Sequence, residues 1–256
     1  MTVRTVICRH CHANIPDGHL FCGRCGTPLP ERPDASTETQ YYSALQAQGQ
    51  TQLTMLRGCQ PEGSSFKLPS GSHVVGRQAQ SLRLDDLYVS PEHAEFDVVE
   101  GRLIVSDLDS LNGVYLRIRQ PTILEHGDML RAGDHFFRFE LLHEVSHQVD
   151  GVAFLCSPRR EKRFRLVEIG AGGIPCRAYA SPNNEVAVGR TGCDLSFPLD
   201  IFMSPRHFSV SASKLEPTVQ DLGSHNGTFI RLRAPTELRH GDLIFMGEQL
   251  LRVELS

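Results

Sequence analysis

Residues 76–96 read GRQAQSLRLDDLYVSPEHAEF, and residues 189–210 read GRTGCDLSFPLDIFMSPRHFSV. Both begin with Gly-Arg and carry Ser-Pro-x-His near the far end. The match continues beyond them: SDLDSLNGVYL (106–116) with QDLGSHNGTFI (220–230), and LEHGDMLRAG (124–133) with LRHGDLIFMG (238–247). Ser90, His93, Asn112 and Gly127 map onto Ser204, His207, Asn226 and Gly241 at a constant offset of 114. Gly76-Arg77 maps onto Gly189-Arg190 at 113, so the second copy holds one extra residue in the intervening loop. A fixed offset over such a span marks an internal repeat. The copies lie near residues 51–142 and 164–256, with 143–163 between them.

Each copy reads as strands. FKLPSGSHVVGR, AEFDVVEGRLIVSDL, GVYLRI and HFFRFELL alternate apolar and polar residues and are separated by Gly, Asn, Asp and Pro. Helical spacing is nowhere sustained. Short strands with turns every 8–12 residues predict an all-β chain built of β-sandwiches rather than βαβ units. Between the copies, GVAFL (151–155) reads either as linker or as an edge strand. IGAGGIP (169–175) mimics the start of a dinucleotide fingerprint, but Pro175 follows and no helical pattern does, which predicts a loop between strands.

Composition narrows the function. The 256 residues are 40% hydrophobic and 22% charged, with a net charge of −4, a globular balance rather than a disordered one. No basic excess is available for bulk nucleic-acid binding. No apolar run reaches the ~18–20 residues of a membrane span. Cys8, His10, Cys11 and His12 stand where a secretory signal would be apolar. The expected compartment is therefore the cytoplasm, where disulfides are rare.

Cys8, Cys11, Cys22 and Cys25 form C-x2-C-x10-C-x2-C in the stretch CRHCHANIPDGHLFCGRC. Two such knuckles can place four thiolates tetrahedrally around one structural Zn²⁺, a closed site with no open position for catalysis. So short a segment cannot bury a core, so the metal would supply its folding free energy. His10, His12 and His19 are read as bystanders, and Cys59, Cys156, Cys176 and Cys193 as isolated small hydrophobes, buried or half-buried. The expected organisation is a zinc ribbon over 1–29, a Pro/Ser/Thr/Gln-rich linker over 30–50, a first sandwich over 51–142, a connection over 143–163 and a second sandwich over 164–256. The ribbon resembles those at the N-termini of bacterial regulatory proteins, although His12 stands where they usually repeat a glycine.

Taken together, G-R…S-x-x-H…D-L-x-S-x-N-G resembles the forkhead-associated (FHA) domain, and both copies carry it. The resemblance implies two packed β-sheets with phosphothreonine bound by loops at one end, in a cytoplasmic, non-catalytic, monomeric adaptor for Ser/Thr kinase signalling. The implied partners are Thr-phosphorylated proteins, a kinase or its substrates, with no membrane or nucleic-acid role. Phosphothreonine presents about −1.5 to −2 charges and three acceptor oxygens, which suits the planar forks of Arg77 and Arg190. Ser90 and Ser204 would donate a hydroxyl to phosphate, and Asn112 and Asn226 would grip the ligand main chain. Gly76 and Gly189 would let backbone and ligand approach, and Gly113 and Gly227 complete the Asn-Gly turns. By family likeness, His93 and His207 sit behind the serines and tie loops together.

The copies are unequal. Before the asparagine stands Leu111 in the first copy and His225 in the second, and only His225 can donate to phosphate. The first copy adds Glu92 and Glu95 near the serine, the second Arg206, so the second is expected to bind a dianion more tightly. Tyr88 and Phe202 occupy the place where some FHA domains carry an arginine that reads an acidic residue at +3, so no strong preference of that kind is expected. Thr37 and Thr39, in DASTETQYY, are either ordinary linker residues or sites of regulatory phosphorylation.

Other function classes find less support. There is no GxxxxGK[ST], HExxH or GxSxG motif. Ser90, His93 and Asp107 could be drawn as a triad, but the repeat pattern already explains their spacing. Residues 1–32 carry four arginines against Asp17 and Glu31, thin for nucleic acid. Two alternatives stay open: a scaffold that keeps the fold and abandons phosphate, and a zinc-ribbon regulatory factor that binds nucleic acid or protein.

Overall fold

The computed structural model describes residues 5–8, 14–16, 51–142, 148–153, 163–180, 183–212 and 216–255. The chain divides into two compact units, Met1–Gln46 and Ala47–Ser256. In the first, strands β1 (Thr5–Ile7) and β2 (Asn14–Pro16) pair as a hairpin, with Cys8 buried at its edge. Cys11, Cys22, Cys25, Cys156, the 30–50 linker, Thr37 and Thr39 lie outside the described residues, while Cys59 and Cys176 are exposed, against the burial expected of them, and Cys193 is half-buried.

In the larger unit the first repeat contributes β3 (Thr51–Arg57), β4 (Ser65–Leu68), β5 (Gly71–Gly76), β6 (Leu82–Arg83), β7 (Ala94–Val99), β8 (Arg102–Asp107), β9 (Val114–Arg117), β10 (Thr122–Ile123), β11 (Met129–Ala132) and β12 (His135–Leu141). The connection holds a small hairpin, β13 (Gln148–Val149) and β14 (Val152–Ala153), turned at Asp150 and Gly151, both at positive φ. Thus the start of GVAFL is a strand, but its partner is local. The second repeat contributes β15 (Phe164–Ile169), β16 (Pro175–Tyr179), β17 (Glu185–Gly189), β18 (Leu195–Ser196), β19 (Phe208–Ser211), β20 (Thr218–Asp221), β21 (Thr228–Arg231), β22 (Thr236–Leu238), β23 (Leu243–Met246) and β24 (Gln249–Glu254). IGAGGIP is a loop with one 3-10 turn between β15 and β16.

The strand pairing does not follow the repeats. A ten-stranded sheet runs β16-β15-β12-β11-β21-β9-β23-β24-β3-β4, flanked by five-stranded sheets β22-β8-β7-β5-β6 and β10-β20-β19-β17-β18. The C-terminal strands of the first repeat, β10 to β12, pair with the second, and β22 to β24 pair with the first. The contiguous spans 51–142 and 164–256 are therefore sequence repeats and not the sandwiches themselves.

The cores follow the exchange. One packs Leu53, Phe96, Val105 and Val114 with Ile244 and Leu251. The other packs Leu130, Phe137 and Phe139 with Phe164, Val188 and Phe208. At the crossing, β9 and β21 lie antiparallel, with Tyr115 opposite Arg231, Leu116 opposite Ile230 and Arg117 opposite Phe229. Backbone bonds from Ile118 N to Thr228 O and from Leu232 N to Val114 O prolong the ladder at both ends. Tyr115, Phe229 and Phe245 form a small third cluster there. Reciprocal ion pairs join the repeats: Arg119 Nε lies 2.7 Å from Asp242 Oδ1, and Arg233 Nε donates to Asp128 Oδ1 at 2.7 Å.

Candidate recognition loops

Strand β5 ends at Gly76-Arg77 and β17 at Gly189-Arg190. Arg77 N donates to Ser90 O (2.9 Å) and Arg190 N to Ser204 O (2.8 Å), so each arginine is pinned beside its serine loop. Gly76 and Gly189 allow this: a Cβ would lie 2.2 Å from Pro91 O or 2.3 Å from Pro205 O. The glycine thus makes room for the backbone of the serine loop.

Both arginines are half-buried. Among the described residues neither enters an ion pair, and the buried Arg77 Nε has no hydrogen-bond acceptor. Ser90 Oγ accepts Leu111 N–H at 3.2 Å and Ser204 Oγ accepts His225 N–H at 3.0 Å. Each hydroxyl proton is left to donate elsewhere.

His93 and His207 are fully buried. Nδ1 of each accepts the N–H of Ser90 or Ser204 (3.0 Å), and Nε2 donates to Gly113 O (3.1 Å) or Gly227 O (3.0 Å). One imidazole thereby joins the serine loop to the asparagine loop, in the neutral tautomer protonated at Nε2. Burial lowers both pKa values, against the opposing pull of these carbonyls and of Asp107 or Asp221. Because Nδ1 is spent on a backbone amide and Nε2 on a carbonyl, neither ring is placed to take the serine hydroxyl proton, and Ser90, His93 and Asp107 do not form a triad.

The asparagine loops rest on an aspartate and a serine. Ser110 Oγ donates to Asp107 and accepts Gly113 N–H at 3.0 Å; Ser224 Oγ donates to Asp221 at 2.6 Å and accepts Gly227 N–H at 3.0 Å. Thr228 adds a bond to Asp221 (2.7 Å), so hydrogen bonds overcome burial and hold that carboxyl below the usual range. Val114 cannot do this in the first loop, where Arg231 Nη2 approaches Asp107 Oδ2 at 3.7 Å instead. Asn112 and Asn226 are exposed, each donating through Nδ2 to Tyr88 O or Phe202 O at 2.8 Å, which leaves the amide oxygen outward. His225 is exposed beside Asn226, and Gly113 and Gly227 sit at φ 82° and 86°, a region glycine tolerates.

Comparison with known proteins decides the family. The FHA-domain model matches residues 73–133 and 186–247, and the zinc-ribbon model matches 7–29. The chain carries two FHA repeats behind a zinc-ribbon segment. It is 40% identical over 75 residues to an oxoglutarate dehydrogenase inhibitor of Corynebacterium efficiens, covering 28% of this chain and 52% of that protein. It is also 40% identical over 75 residues to the glycogen accumulation regulator GarA of Mycolicibacterium smegmatis, covering 28% and 47%. The chain thus spans about half the length of these curated relatives. A solved structure described as "Structural and functional analysis of phosphothreonine-dependent FHA domain interactions" aligns at 14% identity and TM-score 0.30, covering 81% of this chain and 97% of that one.

Several FHA-loop residues escaped the sequence argument. Arg231 Nη2 donates to Ser110 O at 3.0 Å, and a Cβ on Gly113 would lie 2.2 Å from Arg231 Nε. Arg117 packs on Gly227 in the same way, at 2.4 Å. Each FHA loop is thus buttressed by an arginine of the other repeat. Their 114-residue spacing was legible; their target was not. Arg57, at the end of β3, lies 5.0 Å over the Phe202 ring and has no counterpart signal in the repeat.

Proposed function

We propose that this chain is a phosphothreonine-binding adaptor in Ser/Thr kinase signalling, taking one phosphothreonine at Arg77, Ser90 and Asn112 and another at Arg190, Ser204, His225 and Asn226. The observation that carries the reading is the state of the arginine–serine pair: a half-buried arginine outside any described ion pair, tied by its backbone N–H to a serine whose hydroxyl proton is uncommitted. Such a pair offers a phosphate dianion a charged donor fork and a hydroxyl donor from neighbouring loops. The names of the relatives, an inhibitor and a regulator, agree with a protein that acts by binding.

The second site is the tighter one, since His225 and Arg206 are exposed beside it while the first carries Leu111 and Glu92. Arg57 revises the expectation about acidic residues. It borders a cavity of about 220 Å³ with Phe202 and Asn226, giving the second site a cation for an acidic side chain downstream of the phosphothreonine. Beside Tyr88 the corresponding space is lined by Asp85, Asp86 and Glu248 as well as Arg57, which gives the first site no such preference.

Cys8, Cys11, Cys22 and Cys25 would hold one Zn²⁺. Four cysteines in two knuckles are a donor set suited to a closed tetrahedral site, and the buried Cys8 beside the β1–β2 hairpin fits a structural ligand. Metal analysis of the purified chain should return one zinc per molecule, and the Cys22→Ser variant should lose it.

The deciding experiment is capture from a phosphothreonine peptide library by wild type, Arg77→Ala, Arg190→Ala and the double variant. Losing a charge-assisted contact costs about 1.5–3 kcal/mol, or roughly 10- to 100-fold in affinity. The double variant should capture nothing above the dephosphorylated control. Equal capture with and without phosphate would leave a phosphate-independent scaffold.

A further inference from the structure

The β9–β21 register has a property that bears on the ligand. With the 114-residue equivalence, Tyr115 opposite Arg231 becomes Phe229 opposite Arg117, and Leu116 opposite Ile230 becomes itself. The two repeats are therefore related by a local two-fold axis through the Leu116–Ile230 pair. Opposed residues of an antiparallel ladder share a face, so this axis stands across the sheet and reverses the direction of anything lying along it.

The recognition loops sit at the two ends of this ladder. Gly113 immediately precedes β9 and Gly227 immediately precedes β21. The ladder pairs Val114 with Leu232 and Ile118 with Thr228, which places the two glycines six residues apart along it. At about 3.3 Å per residue that is roughly 20 Å. The spacing is stiff, because Arg231 bonds the first loop and Arg117 packs on the second. Arg57 lines both the cavity beside Tyr88 and the cavity beside Phe202 and Asn226, so both loops border a common region.

We infer that one chain engages a two-fold-symmetric phosphoprotein, each subunit of a partner dimer placing one phosphothreonine segment in one site. The inference rests on the phosphothreonine reading above. Two sites related by rotation accept two copies of a segment running in opposite directions. A single extended segment with two phosphothreonines is related to itself by translation and cannot satisfy both sites without turning back. A rigid span of matched size makes the second contact intramolecular and raises affinity without any new contact.

The test uses a phosphothreonine peptide selected by the library experiment, in four forms. These are the single peptide, two copies joined C-terminus to C-terminus, two copies joined N-terminus to N-terminus, and one peptide carrying both phosphothreonines in tandem about seven residues apart, all with short linkers. One of the two symmetric forms should bind the full chain at least about tenfold tighter than the single peptide. That gain should vanish in Arg77→Ala and in Arg190→Ala, with a complex of one chain per joined pair by light scattering. A tandem form that gains as much as either symmetric form overturns the inference, as does a gain that survives loss of one arginine, or no gain at all. If the single peptide binds no better than its dephosphorylated form, the phosphothreonine reading itself has failed and the inference falls with it.

Discussion

A methyl group on residue 76 would lie 2.2 Å from the Pro91 carbonyl oxygen, and that oxygen belongs to backbone with nowhere to retreat. Gly76→Ala should therefore cost about 1–3 kcal/mol, the usual penalty of overpacking, and should weaken phosphopeptide capture by the first site while the second keeps its affinity. Denaturant melts and peptide titration of the same variant would show both effects. The histidines give a second residue-level expectation. Burial holds His93 and His207 below their ordinary value near 6.5. The unfolded chain binds these protons first on acidification, so the stability tied to the neutral rings is present above about pH 6.5 and is lost as pH falls through the lower folded values. Between pH 7.5 and 5.5 the chain should lose stability, and the His93→Gln/His207→Gln variant should lose less of it over the same interval. Arg57 supplies a third: Arg57→Ala should relax the second site's choice of acidic residues in the peptide library and leave the first site's profile unchanged.

Among the elements, the hinge strands β9 and β21 decide how the molecule is put together. Each runs on toward a proline, Pro121 or Pro235, which removes a backbone donor and favours an extended predecessor. The strands beyond pack on the other repeat. At the crossing, Arg131 and Phe245 occupy equivalent places in the two repeats and touch one another, the guanidinium 3.7 Å from the ring centroid. Arg131 is 5% exposed, and burial, aided by nearby Arg57, pulls its pKa down to about 10. A crossing between two copies of the first repeat would set arginine against arginine at this spot. The tandem replaces that repulsion with a cation–π contact, which specifies the unlike pairing. Phe245→Arg should consequently destabilise the chain by about 3–5 kcal/mol, the cost of an unpaired buried charge, whereas Arg131→Phe should be far milder. Thermal melts of the two variants separate these outcomes.

Over the whole molecule, the exchange means that neither sandwich is covalently contiguous. A protease site placed between Arg159 and Arg160 should cut the chain without separating its halves, because each half contributes strands to both cores. The nicked protein should elute as one species and still bind phosphopeptide. Two contiguous domains would part after cleavage, so separation into fragments would refute the exchanged topology.

Much of the design was legible in the chain. The 114-residue repeat, the all-β character and the Gly-Arg, Ser-x-x-His and Asn-Gly stations follow from local patterning, because strand alternation and turn chemistry depend on residues close in sequence. The sequence also placed Asp107 and Ser110 in the repeated motif without showing that they brace the asparagine loop. Which copy of β10 to β12 completes which sandwich was not readable, and neither was the task of Arg117, Arg231 or Arg57. Two repeats of one pattern present similar edges, so strand propensity is satisfied whichever partner is chosen. Only the packed structure shows the choice, in Arg131 against Phe245 at the β9–β21 crossing, a contact between residues more than a hundred positions apart.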